Sequence, residues 1–150
     1  MIVGGFHKIP EALRARLATE TFSLPVPTLL RRSMFWFTEV DARDLTVIVA
    51  PTLRQPVEGT RNSKRYEYHV GAFVIKQIAE ADEAARQAEE DSLLTLVDEI
   101  QIAMAGYELL SVDGSAVSLQ VPSDSQPPFI ADAYRSNKTF IGVAEVQIND

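Results

Sequence analysis

Asp82-Glu83-Ala84-Ala85-Arg86-Gln87-Ala88-Glu89-Glu90-Asp91-Ser92-Leu93-Leu94-Thr95-Leu96-Val97-Asp98-Glu99-Ile100-Gln101-Ile102-Ala103-Met104-Ala105-Gly106-Tyr107 reads as one unbroken pattern. Leu93, Leu96, Val97, Ile100, Ala103, Met104 and Tyr107 recur three or four residues apart, which is the period of one helix face. Ala84, Ala85 and Ala88 permit close approach in the first turns, and Gly106 suits the position just past a helix end. The spacing predicts a helix from about Asp82 to Ala105, about 36 Å long at 1.5 Å per residue. A small sheet needs less than that. Part of the helix is therefore expected to project or to pack on a neighbouring subunit.

On the N-terminal side of this helix lie two β-branched runs. Leu45-Thr46-Val47-Ile48-Val49 is expected to be a strand stopped by Pro51. Tyr66 to Ile75 is expected to be a second, with Tyr66, Tyr68, Val70, Ala72 and Val74 on one face and Glu67, His69, Gly71, Phe73 and Ile75 on the other. Its second half is apolar on both faces, so that end should be covered on both sides. Between the two runs, Thr52 to Arg65 holds Pro56, Gly59, Asn62 and Ser63 and reads as a long polar, basic loop. Beyond the helix, Asp113-Gly114 signals a turn. Val117, Leu119 and Val121 then alternate as a strand, and Ser123 to Asn137, with Pro127 and Pro128, reads as a second long loop. A last strand places Phe140, Gly142, Ala144, Val146 and Ile148 on one face. Nearer the N-terminus, Pro10 to Phe22 reads as a short helix ended by Pro25 and Pro27, and Thr28 to Phe37 as an edge strand. The expected fold is one α+β domain over residues 1–150. It comprises a small, mostly antiparallel sheet of four or five strands, with the long helix and the short N-terminal helix packed on one face.

Composition narrows the function. A chain of 150 residues, 46% hydrophobic and 23% charged, is long enough for its own core. Zero cysteines exclude disulfides, a thiol nucleophile and thiolate metal sites. No apolar run approaches the roughly 20 residues that a membrane-spanning helix needs. The opening Met1-Ile2-Val3-Gly4-Gly5-Phe6 lacks the basic and long apolar regions of a signal peptide, so cytoplasmic synthesis is the default expectation. The net charge of −7 is unevenly spread: residues 77–113 hold ten acidic side chains and one basic, residues 31–76 eight basic and five acidic. That pattern argues against a nucleic-acid reader, which gathers Lys and Arg on one face. It fits copies or partners that present opposite signs, or an acidic helix face that is simply solvated.

The sequence holds little that resembles a catalytic or metal constellation. His69 lies mid-strand and His7 near the terminus, with no second ligand at helical or hairpin spacing, so no metal and no cofactor are expected. There is no nucleophile elbow, and neither glycine-rich phosphate motif is present. Glu89-Glu90-Asp91 and Asp98-Glu99 diverge around a helix and do not converge on one atom. The candidate residues are those of an interface. Phe35-Trp36-Phe37 beside Arg31 and Arg32 combine the residue types that anchor protein–protein contacts. Arg54, Arg61, Lys64 and Arg65 are the basic loop, and Glu89, Glu90 and Asp91 the acidic helix.

In their order, these elements resemble the tail-terminator and minor-tail proteins of long-tailed bacteriophages and their prophage relatives. The resemblance rests on Val47-Ile48-Val49-Ala50-Pro51, the loop with Arg61 and Arg65, the strand Tyr66 to Lys76, Leu93-Leu94-Thr95-Leu96-Val97-Asp98-Glu99-Ile100, and Phe140-Ile141-Gly142-Val143. These pieces span residues 45–148, about two thirds of the chain. Residues 1–40 match no part of the pattern and are expected to be an added arm or helix. The resemblance implies a virion protein with no catalytic residue, one that forms a hexameric ring on the tail tube. Its partners would be copies of itself, the major tail tube protein and a head-completion or neck protein. DNA would pass through the lumen without sequence-specific binding, and no membrane is involved. On that reading the two long loops make ring or tube contacts, and the basic loop meets the acidic helix of the adjacent subunit. Two alternatives stand beside it. One is a head-completion or other neck adaptor, or an adaptor with no phage connection. The other is a small cytoplasmic ligand-binding or enzymatic domain with a pocket near His69 and Tyr68, which would show convergent polar groups and a shifted histidine.

Overall fold

The computed structural model describes residues 4–57, 65–78, 82–107, 109–120 and 138–149, with backbone alone at 53–57, 65, 66, 109, 115 and 149. Among these described residues nine elements follow in order: α1 (Gly5–Leu17), β1 (Thr28–Arg31), α2 (Glu39–Arg43), β2 (Thr46–Val57), β3 (Arg65–Gln77), α3 (Glu83–Ala105), β4 (Leu109–Val112), β5 (Ser115–Gln120) and β6 (Thr139–Asn149). The six strands form one sheet in the order β1-β2-β3-β6-β5-β4. The chain is α+β, as the sequence predicts, but the expected mostly antiparallel sheet of four or five strands is corrected on two points. Among the described residues there are six strands, β4 being the one the sequence reading lacks. The sheet is also mixed, because β1 runs parallel to β2. Parallel neighbours need a crossover of about a dozen residues or more. Residues 32–45, with α2 inside them, supply it.

Alternation along the strands sorts the core into two. Val47, Val49, Tyr68, Val70, Ala72, Val74, Ala144, Val146 and Ile148 face one way. They meet Ile9, Leu13 and Leu17 of α1 and Leu93, Leu96, Val97, Ile100 and Met104 of α3. Ile48, Ala50, Phe73, Ile75 and Ile141 face the other way, under Ala42, Phe35 and Phe37. The doubly apolar half of β3 is thus covered on both sides, as its composition predicts. α3 settles closely onto β6 at Gly142, where a Cβ would lie 2.3 Å from Val97 Cγ2. Its start is set by Asp82, whose carboxylate accepts from the Ala85 amide, and its end by Gly106.

Several boundaries move. The first helix is not Pro10 to Phe22 but Gly5–Leu17, with Pro10 inside it. The segment that follows lies extended over the sheet, with Phe22, Leu24 and Val26 half-buried and their neighbours exposed. The edge strand ends at Arg31 instead of Phe37. β2 does not stop at Pro51. It continues to Val57, so the first part of the expected Thr52 to Arg65 loop is strand. Proline is tolerated there for two reasons: β1 ends opposite Val49, and the ladder with β3 shifts register between Pro51 and Leu53, leaving Thr52 as an extra residue. The Asp113-Gly114 turn is as expected, with both residues at positive φ (50° and 78°) as a tight hairpin turn requires. The expected loop Ser123 to Asn137 lies outside the described residues.

Candidate interaction surfaces

Residues 32–40 form the most elaborate exposed surface. Phe35 and Phe37 turn inward, and Phe35 stacks on Phe73 of β3 with ring centroids 4.0 Å apart and planes 18° from parallel. Trp36 between them is driven outward and is 50% exposed, with Met34 at 66% and Val40 of α2 at 68%. The three aromatics lie in coil, not on a strand, so one face of the sheet receives two of them and solvent the third.

Arg32 organises this surface. Its guanidinium lies 3.8 Å from the centroid of the Trp36 ring, a cation–π contact. It also donates to the Trp36 carbonyl at 2.7 Å and to Asp41 Oδ2 at 2.9 Å. Asp41 accepts in turn from the Thr38 amide at 2.9 Å, while the Thr38 hydroxyl accepts from the Asp41 amide, a reciprocal cap on α2. The Arg32 hydrogen bond, then that of Thr38, holds the Asp41 carboxyl below its ordinary range. Arg31 points to the opposite face and pairs with Glu11 of α1 at 3.6 Å. Both arginines are therefore committed within the chain. The surface that remains for a partner is Met34, Trp36 and Val40.

The acidic helix is less uniform than its sequence. Glu89 forms an ion pair with Lys76 of β3 and does not face outward. Glu90 is half-buried and Asp91 exposed. Asp91, Thr95, Asp98 and Ile102 follow one another at four-, three- and four-residue spacing and form the stripe opposite the buried face. Ile102 is 72% exposed. Of the basic loop, Arg54 and Arg65 lie in β2 and β3 with side chains outside the described residues, and Arg61 and Lys64 are themselves outside them.

His69 lies on the face of β3 that α2 covers farther along, where a second cluster forms. Its Nε2 is 2.6 Å from Glu67 Oε1 and its Nδ1 3.0 Å from Glu145 Oε1. The Thr52 hydroxyl, turned to this position by the register shift, donates to the same Glu145 oxygen at 3.0 Å. Burial pushes the imidazole pKa down, but the hydrogen bonds to both carboxylates outweigh it and the net shift is upward. The two carboxylates sit on opposite ring nitrogens and do not converge on one point. Among the described residues no group of three His, Asp or Glu side chains is arranged to hold a metal. With both nitrogens engaged, the ring has neither lone pair nor proton directed at open space.

A cavity of about 440 Å³ opens elsewhere, on the α1–α3 side, lined by residues including Leu17, Phe22, Leu24, Val26, Val47 and Ile100. His69 is not part of its lining. At its mouth Glu20 accepts a hydrogen bond from the Tyr107 hydroxyl at 3.0 Å, and Ser23 bonds to Glu99. Burial first, then the Glu20 contact, raises the Tyr107 phenol above its ordinary pKa.

Sequence reasoning named Trp36, Arg32 and Arg31 but missed Met34, Val40 and Ile102. An apolar residue in a polar run was a signal at Val40 alone; Ile102 is hidden among the apolar positions of its own helix. The His69 cluster was half visible, since alternation puts Glu67 and His69 on one face. No helix of the described residues is long and apolar enough to cross a membrane. No protein-family model matches the chain, and no curated protein matches it at a significant level.

Proposed function

We propose that this chain is a structural subunit that assembles with copies of itself into a ring, in the manner of the tail-terminator proteins it resembles. The observation that best supports this is the exposed Met34–Trp36–Val40 surface. Large apolar side chains grouped on an otherwise polar exterior mark contact sites, and tryptophan with arginine is a common anchor at them. This surface lies on the α2 side of the sheet, while the acidic outer stripe of α3 lies on the other side. Two different outward faces suit a head-to-tail contact, which closes into a ring when the rotation per subunit divides a full turn. On this reading the ring is a hexamer that caps the tail tube and joins it to neck proteins in the virion, with DNA passing through the lumen. No chemistry is assigned to the His69 cluster.

Light scattering of the purified protein, with negative-stain imaging of the same fraction, tests the proposal. A ring of about six subunits, reduced to monomer by Trp36→Glu, is the expected result. A wild-type protein that stays monomeric both alone and with tail tubes would sink it.

A further inference from the structure

α2 presents Val40 and Arg43 one turn apart, and both are exposed. The outer stripe of α3 presents Ile102 and Asp98 one turn apart, and both are exposed as well. Among the described residues neither Arg43 nor Asp98 has a hydrogen-bonding or ionic partner within the chain. Their surroundings explain why. Ala42 is the residue of α2 that is buried, and Leu93, Leu96, Val97, Ile100 and Met104 are those of α3, so the four side chains point away from the sheet on opposite sides. Each face therefore offers an apolar side chain one turn from an exposed charge, Arg43 on α2 and Asp98 on α3; these two are opposite in sign, and the exposed carboxylates Glu39 and Asp44 flank Arg43.

Resting on the ring reading above, we propose that the α2 surface of one copy docks on the outer stripe of α3 of the next. Ile102 inserts beside Trp36, Met34 and Val40, and Asp98 pairs with Arg43. The occupant of the Trp36 surface is thus a second copy of this chain. The large apolar exposures match one another. Val40 at 68%, Met34 at 66%, Trp36 at 50% and Ile102 at 72% are four of the five large hydrophobic side chains exposed among the described residues. Burying them together removes apolar area from water on both partners. The ion pair adds register and partner choice, because a like-charge contact at the same place is repulsive. Arg32 is not the cation of this pair. Its Asp41 and Trp36 contacts hold the docking surface in shape, which leaves Arg43 to meet the neighbour. The contact is heterologous: the surface used on one copy differs from that used on the next, so it propagates until it closes.

A charge-swap cycle tests this. Arg43→Asp and Asp98→Arg are made singly and together, with circular dichroism to check that each folds, and assembly is followed by light scattering over a concentration series. Each single variant is expected to raise the concentration at half-assembly by about tenfold or more, and the double variant to restore most of it. Ile102→Glu should abolish assembly outright. Oligomers that form equally well in every variant would overturn this contact while leaving the ring reading intact. A wild-type protein that never assembles, alone or on tail tubes, would remove both.

Discussion

His69 has a carboxylate on each ring nitrogen, and only its protonated form can donate to both. Its pKa is raised in the folded chain above the ordinary value of 6.5. A group whose folded pKa is raised binds its proton more tightly in the folded state, so it adds stability while protonated. That contribution is complete below about 6.5. It is lost as pH rises through the higher folded value. Thermal midpoints measured from mildly acidic to mildly alkaline pH should therefore fall across that window, and His69→Gln should flatten the decline. A profile unchanged by His69→Gln would mean that Glu67 and Glu145 are satisfied without the imidazolium. Much of this cluster could be anticipated from period-two alternation, which aligns Glu67 with His69. Thr52 could not, because its position depends on a register shift that leaves no mark in composition.

α3 is the element whose limits and buried face were most legible. Asp82 and Gly106 punctuate it, and apolar residues recur along one face over several turns, so tertiary context had nothing to overrule. Its contact with β6 is close at Gly142. Gly142→Ala should force Val97 to move and cost about 1–3 kcal/mol, the usual range for overpacking a core, measurable by chemical denaturation. No loss would mean that the helix can shift outward freely. β1 and the crossover to β2 were not legible. A five-residue helix such as α2 is too short to display a 3.6-residue period, so nothing between Arg32 and Leu45 announced a parallel neighbour. Phe35-Trp36-Phe37 looked like strand because aromatics favour strands, yet their role is to lay two rings over Phe73 and leave the third in water. β2 outran Pro51 because β1 ends opposite Val49 and the ladder to β3 shifts register just beyond Pro51, so a missing amide matters little there.

At the scale of the molecule, the sheet separates two unlike exteriors. One side has α1 and α3 over the larger core; the other has α2 and residues 33–38 over a smaller one. The sequence showed this asymmetry in its charges, with ten of the acidic residues between Gln77 and Asp113. It did not show that Arg31, Arg32 and Glu89 would find partners inside the chain, since ion pairs between distant segments depend on the topology that joins them. Among the described residues, the charges left without a partner are therefore different from what the raw charge pattern suggested. Arg43 and Asp98 matter because, among the described residues, no ion pair or side-chain hydrogen bond within the chain engages either of them.

Gln101 of α3 bonds to both backbone groups of Glu145: its amide donates to the carbonyl at 3.0 Å and its oxygen accepts from the N–H at 2.9 Å. Among the described residues β5 pairs with β6 from Gln147 to Asn149, and at Glu145 one side chain takes both backbone groups. The Glu145 amide is thereby made a reporter of whether α3 is seated. In hydrogen–deuterium exchange it should be protected as long as the helix is docked, and Gln101→Ala should speed its exchange while the β3-facing amides of the same strand keep theirs. A local opening of the helix would be visible at this one position before the sheet itself gave way.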